Sequence, residues 1–575
     1  MQGYLKTARI VIAIATLLAA GFLFLDFSDT VPAAWFRKIL WLQLIPSLLA
    51  FLHTLKDGLS LSVFGFVAVL LLTLLFGRVY CSYLCPLGVF QDVISWFSKK
   101  LRRKGKKRYR FTPPRTWLRY GILLTVCLSL FSGSIYLVNV LDPYSNFGRF
   151  CADFFRPLYV MGNNLLAQLL QSLGFYVLYP VKIVSANPLA LIVPAVMLML
   201  VVWFSIRKGR LYCNAICPAG TLLGLISHLS LFRIRISRPD CTQCGKCAFA
   251  CKSQCIDIKQ QAIDFSRCVG CANCMKSCDR NAVGYAMASF RKSGKKIPHR
   301  SKRRFLFGSL LFMGALSGLS VRSVIAASRK KEDGTPEEHH TGFEEAVKTH
   351  QVSPPGSQSI HHFTASCTAC HLCVSACPAD VLRPSLFEWG FFGMGQPYMD
   401  YRFGFCNYEC VKCSEVCPNK AILPLTESAS PELKTAAEED ARQAFNARFD
   451  READLSDSND RTLMQDMIRR NIKVRTQIGT VRFIRNNCIV YSEETSCGSC
   501  SEHCPTKAVR MVPYKGELTI PRVDTDICIG CGACEYACPV TPYKAIIVDG
   551  CKEHATAQKP KDETPDEKPL TDFAF

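Results

Sequence analysis

One twelve-residue motif occurs twice, and it constrains this chain more than anything else in it. Gly77-Arg78-Val79-Tyr80-Cys81-Ser82-Tyr83-Leu84-Cys85-Pro86-Leu87-Gly88 is repeated as Gly209-Arg210-Leu211-Tyr212-Cys213-Asn214-Ala215-Ile216-Cys217-Pro218-Ala219-Gly220. The copies share both Gly, the Arg, the Tyr, both Cys and the Pro. Each closes an apolar run, at 59–76 and 188–206. The spacing predicts two helices that carry Cys-x3-Cys-Pro to one face of a membrane, with the thiols of each pair on a single helical face. A paired motif of this kind implies a pseudo-twofold core.

The rest of the chain is read around that core. At 575 residues it is too long for one domain. Its 32 cysteines fall mostly in C-x2-C-x2-C-x3-C runs, the spacing of ferredoxin iron–sulfur ligation rather than of a disulfide framework. The formal charge of +23 could suit nucleic acid. Here, however, the cations flank apolar runs, Lys99 to Arg110 above all, as cytoplasmic loops of a membrane protein require. No nucleic-acid partner is expected.

Residues 9–28 predict an uncleaved spanning helix with its N-terminus inside. Residues 36–55, interrupted by Arg37, Lys38 and Pro46, read as an interfacial or re-entrant piece. Spans are predicted at 59–76, 118–141 and 188–206, with an outer loop over 142–187. The fold class is therefore a membrane α-helical bundle of about four to five transmembrane helices, joined to α+β ferredoxin modules that each bind two [4Fe–4S] clusters. The expected domains are 1–237 (membrane), 238–290 (cytoplasmic ferredoxin), 291–328 (basic segment and helix), 329–362 (linker), 363–427 (ferredoxin), 428–480 (helical insertion), 481–551 (ferredoxin) and 552–575 (disordered tail).

In two-cluster ferredoxins the fourth cysteine of each run ligates the other cluster. That crossing rule gives six sets. In the first module they are Cys241, Cys244, Cys247 with Cys278, and Cys268, Cys271, Cys274 with Cys251. In the second they are Cys367, Cys370, Cys373 with Cys417, and Cys406, Cys410, Cys413 with Cys377. In the third they are Cys488, Cys497, Cys500 with Cys538, and Cys528, Cys531, Cys534 with Cys504. Cys255 competes with Cys251, and Lys252 and Asp279 stand where the other runs have Pro. Cys367-x2-Cys370-His371 also satisfies a haem motif, but Cys373 and Cys377 complete the ferredoxin run in the same frame. Cys81, Cys85, Cys213 and Cys217 are open between a further iron–sulfur site, a redox dithiol and structural helix ends. Polar groups at membrane depth are rare and usually functional, which makes Gln43, His53, Asp142 and Tyr144 candidates for a quinol site.

The repeat followed by a two-cluster ferredoxin resembles the NapH membrane quinol dehydrogenases and the C-terminal half of NosR. From Ser301 onward, where Ser301-Lys302-Arg303-Arg304-Phe305-Leu306 is similar to a twin-arginine export signal, the chain resembles the exported polyferredoxin NapG. The resemblance implies menaquinol oxidation at a bacterial inner membrane, with the membrane quinone pool as donor. A periplasmic reductase or cytochrome would be the acceptor, served by an exported C-terminal half. It implies an electron-transfer component with no terminal-reductase site of its own. Related proteins with similar motifs act instead as accessory factors in metal-centre maturation. The sequence leaves both readings open.

Overall fold

The computed structural model describes residues 2–26, 40, 42–54, 61–101, 109–181, 188–287, 344–454 and 456–559. The export-like segment 291–328, residues 329–343 of the linker and the tail beyond 559 lie outside the described residues, as does the side chain of His53. The chain divides into two compact units: residues 1–25, 38–159 and 191–342, and residues 26–37, 160–190 and 343–575.

The first unit begins with helix Gln2–Leu25. Among the described residues its Tyr4–Leu25 stretch is the one helix long and apolar enough to cross a membrane, with 22 residues and a mean hydropathy of 2.3. The other expected spans are shorter helices: Leu61–Phe76 and Thr116–Phe131 have 16 residues each, and Ile192–Lys208 has 17. Their ends are set by glycines in left-handed backbone, Gly77 (φ 78°), Gly133 (φ 81°) and Gly209 (φ 68°), which stop a helix at little steric cost. These helices turn apolar faces outward. Ile10, Ile14, Leu18 and Phe22 are exposed on the first, Phe64, Val67, Leu71 and Leu75 on the second, and Val196, Met199, Trp203 and Ile206 on the last. The region expected as an outer loop is largely helical. Asp142 caps helix Pro143–Arg149, accepting from Ser145 N, with Pro143 in the first turn; the chain continues through a π-turn, Phe150–Phe155, into helix Arg156–Ser172. Residues 36–55 contribute helix Leu44–Thr54, with Pro46 in its first turn.

The repeats fold differently from their expected i, i+4 geometry. Short helices Tyr80–Tyr83 and Leu211–Ala215 carry Cys81 and Cys213, and both end before the second cysteine. Cys85 and Cys217 instead sit just ahead of the next helices, Pro86–Leu101 and Pro218–Ile226. The cause is the proline, which disfavours helical backbone in the residue before it but suits the first position of a new helix. Each motif is thus a corner between two helices. The first ferredoxin module follows in the same unit. Strand Phe232–Ile236 pairs antiparallel with Val283–Met287, and Ile256–Asp257 with Ala262–Ile263.

The second unit holds the other two modules. Strands Leu382–Pro384 and Pro397–Met399 pair in one, and Thr476–Phe483 with Ile546–Thr556 and Val509–Lys515 with Leu518–Val523 in the other. Between them stand helices Pro431–Phe449 and Ser458–Lys473. They pack through Leu433, Ala437 and Ile472, and through Ala441, Phe445 and Met464.

Candidate iron–sulfur sites

The six cysteine runs share one feature of local backbone, and most share more. The third cysteine of each rides on a short helix: Lys246–Ala250, Asn273–Lys276, Leu372–Ala376, Lys412–Val416, Ser499–Glu502 or Ala533–Ala537. In the four regular runs the residue two after the first cysteine and the residue one after the second are left-handed: Gln243 and Gly245, Gly270 and Ala272, Ala369 and His371, Gly530 and Gly532. Successive amides in such turns point inward and form a concavity suited to an anion. Three places after the fourth cysteine the backbone is left-handed again in five of six runs, at Gln254, Asn281, Asp380, Lys420 and Lys507.

The structure brings together the sets that the crossing rule names. Cys377, Cys406, Cys410 and Cys413 line one small cavity, and Cys488, Cys497, Cys500 and Cys538 another. A third is lined by Cys251, Cys255, Cys268, Cys271 and Cys274. In the other three sets the thiols act on one another electrostatically: Cys241, Cys244 and Cys278 on Cys247; Cys370 and Cys417 on Cys367; Cys531, Cys528 and Cys504 on Cys534. Among the described residues no three His, Cys, Asp or Glu side chains are placed to hold a single metal ion. A [4Fe–4S] cluster takes one thiolate on each of four irons, and each of these sets supplies four.

Cys251 and Cys255 are separable by their surroundings. Their sulfurs are 3.6 Å apart. The Cys255 thiol and the backbone amides of Cys255, Ser253 and Gln254 hold the Cys251 thiol down to about 7, against a penalty from burial. Cys255, bonded to Cys251 and Cys268 and buried, is pushed well up. Cys377 and Cys417 take the same amide bonds from the loops that follow them. Cys251 therefore has the surroundings of a fourth cysteine, and Cys255 those of a packed neighbour.

The repeat core is built by exchange between its halves. Arg78 donates to Cys213 O at 2.9 Å, and Arg210 to Cys81 O at 2.6 Å. A Cβ on Gly88 would lie 2.2 Å from Cys81 O, and one on Gly220 2.4 Å from Cys213 O, so both closing positions require glycine. Ser82 donates to Val269 O (2.7 Å) and Asn214 to Ser253 O (3.1 Å), so equivalent residues of the two copies dock on the two cysteine loops of the ferredoxin module. Cys81, Cys85, Cys213 and Cys217 are all buried. N–H donors face their sulfurs: Arg78 on Cys81 at 3.9 Å, Gln91 on Cys213 at 3.4 Å, Gly220 N on Cys217 at 3.3 Å, and Gly88 N on Cys85. Burial pushes Cys85 and Cys217 well up and Cys213 to about 11, so a metal there must displace protons.

Beside this core lies a buried charge cluster that sequence reasoning missed. Asp92 pairs with Arg9, with Arg210 (2.9 Å) and with Lys252 (3.2 Å). Burial favours the neutral acid, but Arg210, Lys252 and Arg9 outweigh it and hold Asp92 well below the usual carboxylate range. Lys252 also accepts a bond from Arg210 N at 3.1 Å through its carbonyl. That explains the missing proline after Cys251: the position is the link between ferredoxin module and repeat core. The signal available in sequence was the Arg shared by both copies of the motif.

The quinol candidates are scattered in role. Gln43 is buried; it accepts from Tyr80 OH at 3.1 Å and donates to Leu84 O at 3.2 Å. Asp142 gives one oxygen to Ser145 N and Oγ, both at 2.7 Å, while its other oxygen and both amide atoms of Asn139 are buried with no partner among the described residues. Tyr144 packs against Phe24 with ring centroids 6.0 Å apart. An apolar groove of about 280 Å³, lined by residues including Trp117, Ile122, Val126, Leu137 and Leu141, lies alongside.

Comparison with known proteins agrees with the cysteine geometry. A "4Fe-4S binding domain" model matches residues 61–104 and 189–239, which contain both copies of the repeat. "4Fe-4S dicluster domain" models match 264–381, 366–422 and 495–541. YccM of Escherichia coli K12, named as a candidate electron transport protein, is 29% identical over 217 residues, 37% of this chain and 52% of YccM. The chain thus spans about half the length of that relative. The ferredoxin-type protein NapG of the same organism is 26% identical over 250 residues, 42% of this chain and 82% of NapG. The methylamine utilization ferredoxin-type protein MauM of Methylophilus methylotrophus is 28% identical over 195 residues, 32% of this chain and 66% of MauM. No solved structure matches. The chain carries ferredoxin-type [4Fe–4S] domains and is related to the Nap and Mau ferredoxin-type proteins.

Proposed function

We propose that this protein is a multi-pass membrane electron-transfer component that oxidises a quinol and passes electrons through six [4Fe–4S] clusters, with a seventh iron–sulfur site at the repeat cysteines. Each cluster, when bound, takes up and releases one electron at a time. The observation that carries the reading is the seating of the repeat core directly on the first ferredoxin module. Ser82, Asn214 and Lys252, with the Arg78 bond to Ser266 O (2.9 Å), tie the core that holds the four repeat thiols to the loops of the Cys268 set.

The chain's own residues divide the work. Arg78, Arg210, Gly88 and Gly220 hold the four thiols, with N–H donors on each sulfur. The outward apolar faces of the helices suit lipid, and Arg9 pins the inner end of the N-terminal helix beside the ferredoxin module. The groove beside Leu141 is where a quinol ring is placed in this reading. Tyr212, next to Cys213, bonds Leu141 O at 2.8 Å, and the unpartnered oxygen of Asp142 is the proton acceptor. The second unit, exported, delivers electrons to a periplasmic reductase or cytochrome.

Menaquinol added to proteoliposomes containing the full chain should bleach the cluster absorbance. If dithionite reduces the protein and menaquinol does not, the reading fails and an accessory role in metal-centre maturation takes its place. Cys81→Ala with Cys213→Ala should remove about four iron atoms per chain and leave about 24, four for each of six sets. Iron unchanged by the double substitution would remove the seventh site.

A further inference from the structure

Lys473 occupies the junction of the two outer ferredoxin modules. It closes helix Ser458–Lys473 and is 1% exposed. That helix is fastened to the loop of the Cys406 set, Arg469 donating to Glu415 at 2.7 Å and Arg470 to Glu409 at 3.4 Å. The residues just beyond it are fastened to the loop of the Cys528 set. Gln477 donates to Thr525 O and Cys528 O, both at 2.7 Å, and Ile478 N to Ile529 O at 3.1 Å. Across the junction Cys406 N donates to Cys531 O at 2.9 Å, a direct bond between ligand residues of different modules. The buried Lys473 side chain thus starts from a helix end tied to both cysteine loops.

A buried cation is costly unless it finds a counter-charge. The charges that act most strongly on Lys473 are the thiols of Cys406, Cys531, Cys413 and Cys410, with no carboxylate among them. Glu409 and Glu415 are already bonded to Arg470 and Arg469. His554, half-buried near Lys473, is held down to about 4 by burial first and by that ammonium second, so it supplies no charge.

We infer that Lys473 is the shared counter-cation of the Cys406 and Cys528 sets, raising the reduction potentials of both their clusters together. This rests on the reading that those sets hold [4Fe–4S] clusters. A reduced cluster carries one more negative charge than an oxidised one, so a fixed cation nearby favours the reduced form. When one electron passes between the two, the donor loses one negative charge and the acceptor gains it. A cation beside both changes little in that exchange, so the step stays close to level in either direction.

The test is a potentiometric EPR titration of the full-length iron-loaded protein, with iron content measured, for the parent and for Lys473→Met, Lys473→Gln and Lys473→Arg. In the neutral variants two couples should move down, by tenfold or more in the reduced-to-oxidised ratio at fixed potential, about 59 mV for one electron. Lys473→Arg should hold them near the parent. Loss of those two clusters in the neutral variants, with retention in Lys473→Arg, also supports a required positive charge. The inference is overturned if no couple moves, if all couples move together, or if Lys473→Arg behaves like the neutral variants. A parent without clusters would overturn the premise as well; a loaded parent with unmoved variants overturns this inference alone.

Discussion

The repeat core and the outer ferredoxin modules both gather cysteines, but they stabilise them by different means. In the outer modules the work falls to backbone: left-handed turns aim amides at the thiols, and one cation, Lys473, stands between two sets. In the repeat core the work falls to buried side chains. Arg78 and Arg210 each bridge to the other copy, and a single carboxylate, Asp92, meets three cations. The difference follows from the corner that proline makes. A Cys-x3-Cys-Pro corner offers one backbone amide to its pair of thiols, Gly88 N or Gly220 N, and takes its other donor from a side chain, Arg78 or Gln91. It also has to meet its twin, and a guanidinium reaching across is long enough to do so.

The comparison breaks most sharply at Asp92. Asp92→Asn leaves Arg9, Arg210 and Lys252 buried without their carboxylate, and breaking a buried network in this way costs about 3–5 kcal/mol. The contrasting pair in the outer modules, Arg402 with Asp400 at 2.7 Å, has its guanidinium side chain 66% exposed. Arg402→Gln should cost no more than about 1 kcal/mol. Thermal unfolding of both variants measures the difference, and equal losses would contradict the electrostatic account of the core. The pH dependence has a fixed sign. The folded Asp92 carboxyl lies below its ordinary value of about 3.9, so its stabilisation is full above that pH and drains away as the pH falls below it. Asp92→Asn should therefore flatten the acid limb of the stability curve.

A smaller effect separates the glycines of the two regions. Gly88→Ala or Gly220→Ala drives a methyl group into the Cys81 or Cys213 carbonyl, which is fixed backbone, and overpacking of this kind costs about 1–3 kcal/mol. Gly498, inside the cysteine run of the Cys488 set, has only the end of the Glu502 side chain near it, at 3.3 Å. Gly498→Ala should stay within about 0.5 kcal/mol, since that side chain can move. Chemical denaturation of the three variants ranks them. A Gly220→Ala protein as stable as the parent would mean that the two halves of the core are not in register.

Much of this was legible in the sequence because cysteine spacing encodes loop geometry locally. The runs at 367–417 and 488–538, even with their lengthened first gaps, set Cys377 with Cys406, Cys410 and Cys413 around one cavity and Cys488, Cys497 and Cys500 with Cys538 around another. Helix also fell where Ala, Glu and Arg dominate, at Pro431–Phe449. What was not legible is whatever depends on contacts distant in sequence. Cys81 and Cys85 were expected on one helical face, yet Pro86 turns them into a corner. Asp92 looks like an ordinary polar residue of an amphipathic helix until Arg9, Arg210 and Lys252 arrive from three other segments. Lys473 is one cation in a polar helix, and only the folding of residues 406–413 and 525–531 against its two sides reveals it. The charged position after Cys251 reads as a departure from the ferredoxin pattern, and its meaning lies in Asp92, a partner far away in sequence.

The smallest expected effect tests that same neighbourhood. Cys251 and Cys255 both line the cavity of the Cys268 set, but only Cys251 takes the amide bonds, and only Cys251 precedes a left-handed residue at the place shared by the other runs. The first module's other run has Ala282 where this one has Cys255. Cys255→Ala should therefore keep the iron content of the parent and cost about 1 kcal/mol for a small buried group. Cys251→Ala should lose about four iron atoms. The reverse pattern would move the ligand to Cys255 and detach Lys252, and with it the contact to Asp92, from the edge of a cluster. The repeat core would then meet the ferredoxin module through Ser82, Asn214 and the Arg78 bond to Ser266 O.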